Sequence, residues 1–236
     1  DNSSNQIGDS KLHFSLIYKF NRKMNHPFRS SIIIFFFFIT PVFIWSGLGT
    51  KRIDLWFAEI LPLLIVYFIL AKSYKTFPLT NFSYLIVFTG STLMLIGAYY
   101  SYSLVPLFET FKEIFEFNRN HYDKLIHFFQ GLTVTVLTRE IISRKFSMIS
   151  LGWINIFALT CAAAIASIWE IIEWLFVLLV TYQGVIEPST GFLGEQNYYW
   201  DAQSDMFFAV IGSIAAVLFL AKYHDKQIKK IIADSV

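Results

Sequence analysis

Apolar side chains dominate six windows of the chain, and polar residues separate one window from the next. At about 1.5 Å of rise per residue, a helix of each length crosses a hydrocarbon core of roughly 30 Å. The predicted transmembrane helices cover residues 31–48, 55–71, 84–102, 125–142, 153–181 and 206–221. The pattern therefore predicts an all-α, polytopic membrane protein with six transmembrane helices.

Composition supports this prediction and removes several classes of function. Of the 236 residues, 55% are hydrophobic and only 15% are charged, which is too apolar for an ordinary soluble domain. The net charge is only +2, and Lys and Arg are spread over the loops rather than gathered in a stripe, so we expect no nucleic-acid partner. The single cysteine, Cys161, can form neither an intrachain disulfide nor a Cys-based zinc site. Membrane lipids are the expected partners, and no protein partner can be named.

The distribution of basic residues predicts the orientation. If the N-terminus is cytoplasmic, 14 of the 19 Lys and Arg residues fall on the inner side and 5 on the outer side. Cytoplasmic loops carry an excess of Lys and Arg, so both termini are expected in the cytoplasm. The basic stretch before the first window resembles a signal peptide, but it lacks a small-residue cleavage pattern, and we expect the first span to be retained.

This orientation divides the chain into three parts. Residues 1–30 become a cytoplasmic N-terminal segment, and residues 223–236 a cytoplasmic tail. The membrane domain covers 31–222, with 103–124 and 182–205 as periplasmic loops. Apolar residues at helical spacing within 106–118 also predict a short interfacial helix in the first of these loops.

The segment 120–127 concentrates titratable groups at the mouth of the fourth predicted span. It contains His121, Asp123 and His127, with His127 one helical turn below Asp123. Charged and polar groups are costly where lipid surrounds them, so such a cluster indicates a site.

Acidic residues of other spans are expected at the same depth. Glu170 lies 17 residues beyond Trp153, or roughly 25 Å along a helix that rises from the inner side, and Glu173 follows on the same face. Asp201 and Asp205 share a face by their four-residue spacing. The acids that could therefore meet His127 in one outward-facing pocket are Glu59, Glu170, Glu173, Asp201 and Asp205.

Three chemistries suit such a pocket. One imidazole with several carboxylates is a ligand set for a divalent metal ion, which favours His127, Glu170, Glu173, Asp201 and Asp205 as metal ligands. A buried pair of acids also supplies an acid/base couple, for which the catalytic candidates are His127, Glu170, Glu173 and Asp205. The same groups could relay protons in a transporter.

Each of these candidate residues could instead have only a structural role. Asp123 could be only an N-cap that bonds to His127. Glu170 and Glu173 could be neutral and hydrogen-bonded, and Asp201 with Asp205 could simply favour the start of a helix. Arg139 and Glu140, at the inner end of the fourth span, are expected to form a cytoplasmic anchor.

Several stretches of the chain form one linked pattern: 96–102 (IGAYYSY), Val105-Pro106, 119–124 (RNHYDK) with His127-Phe128, Arg139-Glu140, 169–174 (WEIIEW), 194–196 (GEQ) and 200–206 (WDAQSDM). Through these stretches the chain resembles the YjdF-like family of bacterial inner-membrane proteins. The resemblance implies a multi-pass protein of the bacterial inner membrane and no particular activity. A weaker similarity to VanZ-like proteins departs at three positions, where that pattern has Gln for Glu173, Asn for Asp205 and Gly for Phe208.

Three functions stay open on these grounds. The first is an enzyme-like, metal-dependent site that acts on a lipid or lipid-linked envelope substrate. The second is a small proton- or cation-coupled transporter, which requires a polar path to the inner side, where the spans offer few candidates. The third is a non-catalytic membrane scaffold in which the polar groups only hold the helices together.

Overall fold

The computed structural model describes residues 27–146, 148–182, 196 and 198–234, and every regular element in these ranges is a helix. The N-terminal segment up to residue 26 and most of the predicted loop 182–205 lie outside the described residues. The helices are α1 (Pro27–Gly49), α2 (Ile53–Ser73), α3 (Asn81–Tyr99), α4 (Pro106–Ile114), α5 (Tyr122–Lys145), α6 (Leu151–Tyr182), α7 (Asp201–Ala215) and α8 (Ala221–Ala233). A π-helical turn, Ala216–Leu220, makes α7 and α8 continuous.

Six helices are long and apolar enough to cross a membrane, as the sequence predicts. They are α1, α2, α3, α5, α6 and the continuous α7–α8. Their outer surfaces carry large exposed apolar side chains such as Phe37, Leu48 and Phe219, which suit contact with lipid. The short α4 leaves Leu107, Ile114 and Phe115 exposed, as an interfacial helix would.

Helix α5 is the centre of the bundle. It packs against α3, α6, α7 and α8, while α1 packs mainly on α3. Aromatic and aliphatic side chains fill the α1–α3 contact, including Phe35, Tyr84 and Leu95. A polar side chain on α5 can therefore meet partners from several helices at once, which positions the groups described below.

Helices α5 and α7 cross almost backbone to backbone because each has a glycine at the contact. A Cβ atom added to Gly131 would lie 1.8 Å from the carbonyl oxygen of Ala209, and one added to Gly212 would lie 1.9 Å from that of Phe128. Small residues allow this close approach between helices in a membrane. Below the crossing, the hydroxyl groups of Thr135 and Ser213 hydrogen-bond to each other.

Replacement of Gly131 by alanine should therefore destabilise the protein. The added Cβ meets backbone, which cannot rotate away, so we expect a loss at or above the roughly 1–3 kcal/mol typical of overpacking. Gly152→Ala is the matched control, because its Cβ would meet only Ser150 Oγ at 4.0 Å. Thermal unfolding in detergent measures both variants, and equal melting temperatures would contradict the close crossing.

A cluster of buried polar side chains lies at the C-terminal end of α5. The Glu140 carboxylate accepts hydrogen bonds from the Thr80 backbone N–H (2.9 Å) and from the hydroxyls of Thr80 (2.9 Å) and Ser83 (2.6 Å). It also contacts Arg144 Nη1 at 2.6 Å and His224 Nε2 at 3.2 Å. We call these five residues the inner cluster, and it joins α3, α5 and α8.

The inner cluster changes the interpretation of Arg139 and Glu140. Both residues are at most 1% exposed, and Arg139 Nη2 pairs with Asp225 Oδ1 of α8 at 2.6 Å. They are therefore interior contacts between helices rather than surface anchors. The last helix also continues to Ala233 and buries His224, Ile228 and Ile231, well past the predicted span end at residue 221.

A candidate metal-binding site at the start of α5

Three helices bring carboxylates to one imidazole nitrogen. His127 Nε2 lies 3.6 Å from Asp123 Oδ1 on its own helix, 3.7 Å from Glu170 Oε1 of α6 and 3.8 Å from Asp205 Oδ1 of α7. All four side chains are buried, with at most 8% of any one exposed. His127, Asp123, Glu170 and Asp205 form what we call the outer cluster.

The other ring nitrogen of His127 has a hydrogen-bond partner of its own. Nδ1 lies 3.2 Å from the side-chain oxygen of Gln130, one turn further along α5. An Nδ1–H that donates to this oxygen leaves the Nε2 lone pair directed at three carboxylates. That arrangement is favourable when a proton or a metal ion lies between Nε2 and the carboxylates.

Three of these side chains lie close enough together to be candidate metal ligands. One ligand atom each from Asp123, His127 and Asp205 lie within 4.8 Å of one another. Glu170 is not part of this group of three, although its Oε1 lies 3.7 Å from His127 Nε2. Glu170 Oε1 is buried with no hydrogen-bond partner in the described part of the chain, so it retains a free acceptor beside the group.

Two cations border the outer cluster and hold Asp201 away from it. Lys124 Nζ lies 2.7 Å from both Asp201 Oδ1 and Asp205 Oδ1, and Arg119 Nη1 lies 2.7 Å from Asp201 Oδ1. These bonds fix the first turn of α7 against the start of α5. Asp205 is shared between Lys124 and the outer cluster, whereas the Asp201 carboxylate pairs with the two cations.

A cavity opens beside the outer cluster. Its volume is about 470 Å³, and its wall is mostly apolar, with Asp123, His127, Gln130 and Glu173 among the few polar residues. Tyr102 lines this cavity and is almost fully buried.

Comparison with known proteins identifies the family. Residues 31–226 match the family model described as "Predicted membrane protein (DUF2238)". The chain belongs to this DUF2238 family. It is 34% identical to the inner membrane protein YjdF of Escherichia coli (strain K12) over 192 residues, which is 81% of this chain and 90% of that protein. No solved structure matches the chain.

Membership of the DUF2238 family and the six apolar helices together make the chain a YjdF-like, multi-pass inner-membrane protein. Both findings agree with the resemblance drawn from the sequence. The family description names no reaction, so the chemistry rests on the residues themselves.

The structure brings only some of the site residues expected from the sequence to one place. The structure brings His127, Glu170 and Asp205 together, and it places Glu173 on the cavity wall next to them. Asp201 pairs with the two cations instead. Glu59 is buried on α2, and neither of its carboxylate oxygens has a hydrogen-bond partner within the ranges described.

The start of α5 also differs from the expected one. The helix begins at Tyr122 and its N-cap residue is His121, so Asp123 lies in the first turn and is not the cap. Burial, and then the charges of Arg119 and Lys124, lower the pKa of His121. Its ring packs edge-on against Phe117.

The sequence assigns no site role to three residues of the site. Lys124 and Arg119 lie in the 119–124 stretch but are not among the candidate site residues, and Gln130 has no distinguishing pattern in an apolar span. The i, i+3 spacing of His127 and Gln130 is the one signal that could have pointed to their contact.

Proposed function

We propose that this protein is a membrane-embedded, divalent-metal-dependent enzyme that acts on a lipid or lipid-linked envelope substrate. The observation that carries the proposal is the set of three carboxylates around His127 Nε2 beside an apolar cavity. One imidazole with carboxylates suits Mn²⁺, Fe²⁺ or Zn²⁺ better than Mg²⁺ or Ca²⁺.

The side chains divide the work of such a site. The metal ion would be held by Asp123, His127, Glu170 and Asp205, and Gln130 would orient the imidazole through Nδ1. Glu173, on the cavity wall, would accept or donate a proton at a bound substrate. A bound metal ion would supply Lewis-acid activation of a water molecule or a substrate oxygen.

Lipid analysis of cells tests the enzymatic part. We expect cells that carry His127→Ala or Glu170→Gln to accumulate the same lipid species, absent from wild-type cells, because both changes remove a metal ligand. Glu113→Gln, an exposed acid on α4, is the matched control. Identical lipid profiles in all strains, with the variants present at wild-type levels in the membrane, would contradict an enzymatic role.

A proton- or cation-coupled transporter is the second candidate, and the inner cluster favours it. Glu140 and His224 provide titratable groups at the inner end of α5, opposite the outer cluster. The close crossing at Gly131 and Gly212 lies between the two clusters and obstructs a path along that face. Proton flux in proteoliposomes that is lost in both Glu170→Gln and Glu140→Gln would support transport over catalysis.

We further propose that both termini are cytoplasmic and that the outer cluster faces the periplasm. A Cys161→Ala background allows single cysteines to be placed at Ile114 on α4 and at Lys230 on α8, both exposed. A membrane-impermeant maleimide should label Ile114→Cys in intact spheroplasts and Lys230→Cys only after permeabilisation. The reverse pattern would overturn this orientation.

A further inference from the structure

The cavity is a long, narrow slot rather than a compact chamber. Helices α2, α3, α5 and α6 form its walls, and its lining residues on α5 run from Asp123 to Ile141. These two residues are eighteen positions apart, which corresponds to about 27 Å along the helix, close to the roughly 30 Å of a hydrocarbon core. A volume of about 470 Å³ spread over that length suits a flexible chain better than a fused ring system.

The chemistry of the wall changes from one end to the other. The outer end has Tyr102, Asp123, His127 and Glu173, whereas the inner end is formed mainly by aliphatic residues such as Leu137. An amphiphile, with its polar head outward and its chain inward, matches this gradient. Polar ligands without a chain would leave most of the apolar wall uncovered.

One side of the slot borders the bilayer. Over the described residues, α2 and α6 make at most slight contact with each other, although both line the slot. Ile65 of α2, Ile141 of α5 and Ile165 of α6 are lining residues that are 54%, 46% and 44% exposed. In a membrane, these side chains meet lipid hydrocarbon, so the slot is continuous with the bilayer between α2 and α6.

We propose that the slot receives one hydrocarbon chain of a membrane lipid, which enters sideways between α2 and α6 and places the polar head at the outer cluster. The position of the head at a metal ion rests on the proposed function. Binding of the chain does not, because the apolar wall and the lateral opening exist without a metal ion.

Photolabelling tests the chain-binding site. The full chain is reconstituted in nanodiscs that contain phosphatidylglycerol with a diazirine near the end of one acyl chain, and the labelled residues are mapped by mass spectrometry. We expect label on Leu63 and Val87, which line the slot and are only 5% and 2% exposed, so bulk lipid does not reach them.

Two variants on α2 make the test specific. Val66→Trp fills the slot and should abolish label on Leu63 and Val87, whereas Leu64→Trp, two residues away on the opposite, exposed side of α2, should preserve it. If Val66→Trp does not fold, Thr133→Phe fills the slot from α5. Label confined to lipid-facing residues, or lost equally in Leu64→Trp, would overturn the proposal.

Metal binding measured on the same samples separates this inference from the proposed function. Label at Val87 without metal binding supports chain binding and contradicts the metal-dependent enzyme. Metal binding without label at Val87 does the opposite.

Discussion

Substitution of His127 by alanine should abolish stoichiometric binding of Mn²⁺ or Zn²⁺ by the purified protein. The wild-type chain is expected to bind about one ion, because its outer cluster has three carboxylates within 3.8 Å of one imidazole nitrogen. Loss of the imidazole removes the one nitrogen ligand of the outer cluster. We expect the affinity for the metal ion to fall by about 100-fold or more. Removal of a residue that only orients a metal ligand typically costs about 10–100-fold, and loss of the ligand itself should cost at least as much.

Two further variants define the metal set. Gln130→Ala removes only the hydrogen bond to His127 Nδ1 and should weaken binding by about 10–100-fold. His121→Ala is the matched control, since this histidine lies six residues earlier and points at Phe117. Isothermal titration calorimetry ranks the three variants, and equal affinities for His127→Ala and His121→Ala would exclude His127 as a ligand.

Replacement of Glu140 by alanine should cause the largest loss of stability. Its carboxylate joins Thr80, Ser83, Arg144 and His224, and its removal leaves the Arg144 guanidinium buried without its carboxylate partner. Breaking a buried, hydrogen-bonded ion pair in this way costs about 3–5 kcal/mol. Because the cluster joins α3, α5 and α8, the inner ends of these helices are expected to separate first.

Unfolding in mixed detergent micelles measures this loss. Glu140→Gln keeps one acceptor oxygen and should be intermediate, while Glu113→Ala, an exposed acid on α4, should change stability by no more than about 0.5 kcal/mol. A Glu140→Ala protein as stable as the control would show that the inner cluster contributes no net stability.

The contrast between the two clusters shows what the sequence can reveal. The six spans follow from long apolar windows, because only a helix satisfies its own backbone in lipid. The depth of a residue in the membrane follows from the rise per residue of its helix, which predicts Glu170 at the level of His127. In the structure, Glu170 Oε1 lies 3.7 Å from His127 Nε2. The outer cluster was therefore predictable as a set of residues at one depth.

Contacts between distant residues were not predictable in the same way. His224 lies beyond the predicted end of the last span, and 84 positions separate it from Glu140. Hydropathy does not show whether Glu140 is buried or lies at the surface, because a glutamate in either situation can follow an apolar run. Lys124 gives the same difficulty, since a lysine at a helix mouth usually reaches the interface, whereas here it pairs with Asp201 and Asp205.

The helix boundaries show a related effect. An apolar window begins at residue 125, but α5 begins at Tyr122, because Asp123 and Lys124 are buried in polar contacts that the window cannot include. At the other end of the chain, α8 continues past the apolar window because His224, Ile228 and Ile231 face the bundle.

The most direct test of the metal site is pulsed electron paramagnetic resonance of the purified protein loaded with one equivalent of Mn²⁺. If the ion binds at the outer cluster, the echo-modulation spectrum contains ¹⁴N couplings from one directly bound imidazole. These couplings disappear in His127→Ala and persist in His121→Ala. A spectrum without ¹⁴N coupling in the wild-type protein, or one that is unchanged in His127→Ala, would contradict the proposed site.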